Sequence, residues 1–536
     1  MSADNKIRSK SEEATARRPS LVINAISNWV ALAVNIAVGF VLTPYIIGHL
    51  GTVQYGIWAL IASIIGYYGL LDLGVSSAIV RYVARYAGQQ KYESLNQVIN
   101  TAIVIFSLAG SIAILASIFI ADPLAKFFNV EATDYVSFKQ CIWLLGITAG
   151  LMLPGNVLSV ALIAHERFII RNIVNITTTL LRCLLSIYVL YKGGGLLELS
   201  WINFGLGVLA ILLNLGVLKL FFRHITLSPK LVNRSMFLTL FSFGLLTSVI
   251  QIGNLLRTKL DAILIGRYLN MDSVATFSIA ALLCGYLSTS IISCSGVSQP
   301  RLAALAGKNN KGIFAGAIMR YSIIIANLVA GGSLVVFLLC EDFLGLWLRK
   351  NFESTHVVAT LVSILLLAVV PDLMMGVSFN ALLAVKKHKY YAYQTIAEGV
   401  AHLIISLILV RSFGIYGVAV GAAIPALSTK FIVQPLYCCR IFGLNWWHYI
   451  TNVILKPLFV AGALIFILEK SKILFVADSY PLLLSKGVIV LLAYSSVAYF
   501  VCIDRRTRRE VWMRLSRVPL SVSGLLSKKE ATSGIN

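Results

Sequence analysis

The sequence predicts an all-α integral membrane protein of about 14 transmembrane helices, organised as two halves of six followed by two extra C-terminal helices. Composition is the first reason. A chain of 536 residues that is 58% hydrophobic and only 12% charged, with mean hydropathy +0.85, has too much apolar surface to hide in one water-soluble core. The second reason is a series of apolar runs near 20 residues, the length that crosses about 30 Å of hydrocarbon. The third is a duplicated stretch. IIGHLGTVQYGIWALIAS leading to RYVARYAGQQK, over 46–91, returns as LIGRYLNMDSVATFSIA leading to PRLAALAGKNNK over 264–311. Gly48 and Gly266 lie 218 positions apart and Gly88 and Gly307 lie 219 apart, so the spacing survives across some forty residues.

A tail of 1–20 precedes the first half, whose spans are expected at 21–47, 56–83, 98–121, 142–164, 169–191 and 200–220. A linker at 221–235 leads to the second half, with spans at 236–265, 274–296, 313–339, 357–385, 391–410 and 415–437. The extra pair falls at 450–468 and 487–503, and a basic tail occupies 504–536. Basic residues are retained on the cytoplasmic side of short loops. With the N-terminus inside, 28 of the 45 Lys and Arg fall on that side and 10 on the other, which places both termini in the cytoplasm. The first apolar run is too long for a signal-peptide core and is expected to stay as a span.

The net charge of +23 is spread over short inter-span pieces, so contact with anionic lipid headgroups is expected and nucleic acid is not. In the tail, 505–520 mixes Arg with Val511, Trp512, Leu515 and Val518, as an interfacial helix does. The eight cysteines show no CxxC and read as small apolar residues. No loop is long enough for an external catalytic domain, and no nucleotide, zinc-protease or serine-hydrolase motif occurs, so no enzyme activity, cofactor or metal is expected.

Ionisable residues inside spans cost a few kcal/mol in lipid, at about 2.5 to 3.5 each, and should face protein or water. Lys219, Arg320, Lys430 and Lys456 lie within about two turns of the cytoplasmic edge and are expected to snorkel. Arg182 is mid-span, with no charge three or four positions away, and needs a partner from another helix or a ligand. In RTKLD, Arg257 and Asp261 are four apart on one face, while Lys259 points about 200° round the helix. The expectation is a self-neutralising Arg257–Asp261 pair that leaves Lys259 and Arg182 as unpaired cations. Such cations either staple the halves together or hold an anionic headgroup such as a phosphate, which Arg suits well. Glu398 and His402, again four apart, are expected to share an intrahelical hydrogen bond or relay a proton. Asp72 and Asp372 complete the intramembrane acids as ion-coupling or helix-pairing groups, with a kink expected at Pro371.

LGTVQYGIWAL, YYGLLDLGVSSAIVRYVARYAG and KYESLNQVINTA, together with GIYGVAVGAAIPAL later in the chain, resemble the polysaccharide transporter family of Wzx-like lipid-linked oligosaccharide flippases. The likeness runs from Leu21 to about Ile503. Its superfamily includes MATE drug exporters and lipid II flippases, which implies two six-helix lobes around a central cavity in a bacterial plasma membrane. It also implies a substrate, an undecaprenyl-diphosphate-linked glycan, turned from the cytoplasmic to the outer leaflet. A glycan polymerase and other assembly proteins are the partners it suggests. The family has no fixed catalytic residues to carry over, so Arg182, Arg257 and Lys259 rest on burial and charge alone. A MATE-like cation exporter should carry acids in its first lobe, whereas this one has only Asp72 well inside a span. A non-transporting scaffold of glycan assembly remains compatible with the sequence.

Overall fold

The computed structural model describes residues 21–164, 167–222, 225–307, 310–348, 352, 354–387, 389–470, 476–502 and 508. The expected N-terminal tail, and the interfacial helix at 505–520 apart from Arg508, lie outside the described residues. The described chain is helical, as backbone groups in hydrocarbon must bond within their own segment.

The helices run in the order α1 Leu21–Gly66, a 3-10 turn at Tyr67–Asp72, α2 Val75–Gly88, α3 Tyr92–Phe127, α4 Ala132–Ala164, α5 Phe168–Tyr191 and α6 Leu196–Phe221. They continue as α7 Arg234–Thr258, α8 Leu260–Tyr268, α9 Met271–Gly296, α10 Ser298–Ala306, α11 Lys311–Leu348, α12 Thr355–Met374 and α13 Gly376–Ala384. The last are α14 Lys389–Ser428, a π-helical turn at Thr429–Val433, α15 Gln434–Phe442, α16 Trp446–Tyr449, a second π turn at Ile450–Leu455, α17 Lys456–Lys470 and α18 Tyr480–Val501.

Eleven helical segments among the described residues are long and apolar enough to cross a membrane. Two of them, Ile26–Asp72 and Lys389–Phe442, have 47 and 54 residues, far more than one crossing needs. Each turns back at a glycine in the left-handed region, Gly51 at φ 81° and Gly414 at φ 57°, so each supplies two of the expected spans. The span expected at 236–265 is divided by a break at Lys259 into α7 and α8, neither of which qualifies alone. In the duplicated stretch, α1 turns at Gly51 and α8 ends with Leu269 as its cap, again 218 positions apart. Gly88 closes α2 and Gly307 caps α10.

The chain forms two compact units. One contains the described residues to Ser293 together with Leu344–Pro371 and Lys386–Lys430. Its apolar core joins Val75, Ile79 and Val83 of α2 to Leu95, Ile99 and Phe106 of α3, Leu153 and Val157 of α4, Leu218 of α6 and Leu240 of α7. The 226–233 connection is pinned to α3 within this unit. Asn96 Oδ1 accepts from the Thr226 amide at 3.1 Å, Asn100 Oδ1 from the Ser228 amide at 2.8 Å, and Thr101 Oγ1 from the Asn233 amide at 3.1 Å. These bonds satisfy backbone donors that would otherwise be stranded next to apolar surface.

The second unit comprises Cys294–Phe343, Asp372–Val385 and the described residues from Phe431. Its last helix is docked by polar contacts at two points. Lys486 of α18 stands 2.6 Å from Asp342 of α11, and Tyr494 donates to Asn327 Oδ1 at 3.1 Å. Gly331 lies beneath the Tyr494 ring, where a Cβ would meet ring carbon at 2.9 Å.

Candidate substrate cavity

Helix α7 stops at Thr258 and α8 begins at Leu260, so the RTKLD cluster straddles a break whose cap residue is Lys259. Helix α14 runs alongside. Gly253 and Gly399 permit the approach, since a Cβ on Gly399 would lie 2.8 Å from the Leu256 Cβ and 3.2 Å from the Gly253 carbonyl. Across this seam Arg257 Nε meets Glu398 Oε1 at 2.6 Å, and His402 Nε2 approaches Asp261 Oδ1 to 2.9 Å, off the line of a hydrogen bond. The pairs share a sequence offset of 141, so the two helices are parallel and each i, i+4 couple is matched rung by rung to the other.

The expected Arg257–Asp261 and Glu398–His402 pairs within single helices are therefore corrected to two pairs between helices. The close packing of α14 brings Glu398 within direct contact of Arg257, a short charge-assisted pair. Lys430 is also corrected. It is fully buried rather than snorkelled, with its amine 3.7 Å from Glu398 Oε2 and 4.7 Å from the centroid of the Tyr391 ring. Thr429 Oγ1 donates to the same Glu398 oxygen at 2.8 Å. The π turn at Thr429–Val433 places Thr429 and Lys430 on this carboxylate. Beside His402, the cluster sets two cations, Arg257 and Lys430, against two carboxylates, Glu398 and Asp261.

Lys259 has a different setting. Its carbonyl accepts a bond from Ser63 Oγ at 3.2 Å, and its side-chain stem crosses Gly66 of α1, where a Cβ would lie 3.2 Å from Lys259 Cε. Its amine has no hydrogen bond or ion pair to any described residue.

Arg182 sits on α5, which packs on α1. These two helices are parallel, with Asn172 Nδ2 donating to Asn28 Oδ1 at 2.7 Å and Thr179 Oγ1 to Asn35 Oδ1 at 3.3 Å, both at an offset of 144. Two rungs one heptad apart define a left-handed seam. Arg182 points to the packing side of α5, within about 60° of buried Thr178, Thr179 and Ser186, and roughly opposite the exposed Leu180, Leu184 and Tyr191. It is nevertheless exposed. Arg182 is thus an accessible cation among buried neighbours on the packing face of α5. Arg182 makes no hydrogen bond or ion pair to a described residue, and neither α1 nor α5 contains a single Asp or Glu.

The remaining predicted acids stand apart. Asp72 Oδ1 accepts from the Ser76 amide at 3.1 Å and from Ser76 Oγ at 2.7 Å, which satisfies a first-turn donor of α2. Asp372 is half-buried in the second unit. Helix α12 continues through Pro371 and ends at Met374, so the break falls four residues after the proline, at Met375. Among the described residues no three His, Cys, Asp or Glu side chains group as metal ligands.

Residues 21–306 match the family model described as "Polysaccharide biosynthesis protein". A curated relative, "Putative O-antigen transporter" of Shigella flexneri, is 22% identical over 436 residues, covering 79% of this chain and 99% of its own length. Among solved structures, "Lipid II flippase MurJ, inward closed conformation" aligns with TM-score 0.66 at 14% identity, over 89% of this chain and 99% of that one. An inward-facing multidrug resistance MATE family transporter of the MOP superfamily aligns with TM-score 0.64 at 15% identity, over 78% and 94%. At these identities the structural likeness establishes a shared fold.

Proposed function

Because the chain belongs to the polysaccharide biosynthesis protein family, we propose that it carries a polyprenyl-diphosphate-linked oligosaccharide, with undecaprenol as the lipid, from the cytoplasmic to the outer leaflet of a bacterial plasma membrane. The observation that carries this reading is the division of cations in the membrane interior. Arg257 and Lys430 lie against the Glu398 carboxylate, whereas Arg182 and Lys259 have no hydrogen bond or ion pair to a described residue. Around Arg182, where neither α1 nor α5 carries an acid, an anion from outside the chain can complete the cation. A diphosphate joined to a glycan cannot cross hydrocarbon unaided, because each unpaired polar group costs several kcal/mol, roughly 2 to 7. A wet cationic cleft lowers that barrier while the lipid tail stays in the bilayer.

Both six-span halves, opening at 21 and 236, begin on the cytoplasmic side when the basic loops are placed inside, which puts their symmetry axis along the membrane normal. Two such halves rocking about a central cavity would expose it to each leaflet in turn. The absence of acids from α1 and α5 disfavours a cation exporter built on the same fold. The relative's O-antigen role, carried to this chain, fits the same substrate class.

The test is transport by the purified full chain in proteoliposomes, with a polyprenyl-diphosphate disaccharide placed in one leaflet and its appearance in the other read by a glycosidase. Transbilayer movement well above that of protein-free vesicles, with pH, sodium and potential gradients varied in turn, supports the reading. Transport of lipophilic cations without movement of the glycolipid would favour the exporter. Movement of neither would leave a scaffold.

A further inference from the structure

We propose that the α1–α5 seam carries a sugar-reading subsite, formed by Asn175 and Asn28, next to the anion position at Arg182. The inference rests on the reading of this cleft as the glycolipid site and assigns the part of the ligand that each residue meets.

The polar residues of the seam divide into two groups. Asn172, Thr179 and Asn35 are used in holding the helices together: Asn172 donates to Ser27 Oγ at 2.9 Å and Asn28 Oδ1 at 2.7 Å, and Asn35 Nδ2 donates to the Ala31 carbonyl at 2.7 Å while its Oδ1 accepts from Thr179. Asn175 belongs to the other group. It is exposed, its carboxamide has no partner among the described residues, and it lies about 20° from Arg182 around the helix, on the same accessible line. Asn28 is also exposed, and only its oxygen is engaged; its Nδ2 faces no described acceptor. A free carboxamide within a membrane span is costly unless water or a ligand completes its bonds.

The order along the seam is as informative as the composition. Asn175 is seven residues before Arg182, about 10.5 Å along the axis, and the Asn28–Asn172 rung is about 4.5 Å further on. That separation is the size of one to two sugar rings. A carboxamide offers one acceptor and two donors, which matches the vicinal hydroxyls and N-acetyl groups of a sugar and carries no charge to compete for the phosphate. Arg182 supplies the charge at one end. Arg171, about 20° to the other side of Arg182 and one residue beyond the Asn172 rung, keeps its charge at the far end of the row while its Nε donates to Ser159 Oγ at 3.2 Å. The row therefore reads as one cation for the phosphate followed by neutral amides for the sugar nearest to it.

The experiment measures binding of two probes to the purified full chain in nanodiscs: a polyprenyl diphosphate, and the same lipid bearing a disaccharide. The wild type should bind the sugar-bearing lipid more tightly. Asn175→Ala should reduce that preference about five-fold, the effect of losing one hydrogen bond, and leave the bare diphosphate unchanged. Asn175→Leu, which keeps the volume, is the second variant, and an unaltered melting temperature shows that either has folded. Arg182→Ala should weaken both probes. If the two Asn175 variants keep the full sugar preference, or weaken both probes alike, the subsite is overturned while the flippase reading stands. If the wild type binds neither probe, the flippase reading itself fails and the subsite with it.

Discussion

Arg257 Nε and Glu398 Oε1 meet at 2.6 Å across the parallel α7–α14 seam, with Asp261 and His402 facing each other one helical turn further on. Glu398 also accepts from Thr429 and lies 3.7 Å from the Lys430 amine, so one buried carboxylate contacts two cations. Glu398→Ala should therefore destabilise the protein by about 3–5 kcal/mol, because it removes the carboxylate that Arg257 and Lys430 share. Thermal unfolding in detergent measures the loss. Combining Glu398→Ala with Arg257→Met should recover part of it, as expected for coupled partners.

Lys430 gives a second prediction. From its place in the span it would be a snorkelling residue whose removal does little, but it is fully buried against Glu398 and the Tyr391 ring. Lys430→Ala should lower membrane abundance and melting temperature, with a loss of about 2 kcal/mol or more from the desolvated cation–π contact. Equal stability of variant and wild type would show that the amine contributes nothing.

A third concerns Gly66. A side chain there would push on the Lys259 stem, which passes 3.2 Å from the position of a Cβ. Gly66→Val should reduce glycolipid transport while leaving abundance unchanged, and Lys259→Ala at an otherwise native Gly66 should do the same. Transport rates in proteoliposomes normalised to protein check both.

The C-terminal pair of helices yields a fourth. Asp342 accepts from the Ala477 amide at 3.3 Å and stands 2.6 Å from Lys486. Asp342→Ala should leave Lys486 unpaired and loosen α18, with about 3 kcal/mol lost if the pair behaves as a buried one. Faster amide exchange confined to α18 and the 476–479 stretch is the expected signature.

The helical class and most spans were legible in the sequence because length and hydropathy alone decide them, and the break at Gly51 was marked by its apolar runs. The isolation of Arg182 on its own helix was legible as well: no charge lies three or four positions away, and α5 carries no acid. The pairing of Arg257, Asp261, Glu398 and His402 was not. Spacing of four shows which residues share a helix face, whereas the choice of partner depends on which helix packs there, and the offset of 141 leaves no local trace. Lys430 was misread for a related reason. Distance from a span end measures depth along one helix and says nothing about whether a π turn directs the side chain inward.

Arg182 is proposed to hold the anionic group of the cargo, and this is tested by the transport rate of a polyprenyl-diphosphate disaccharide by Arg182→Ala in proteoliposomes. The side chain has no bond to lose among the described residues, so folding and melting temperature should be unchanged while transport falls about ten-fold or more, the equivalent of one charge-assisted contact. Native transport by a stably folded Arg182→Ala protein would contradict the account.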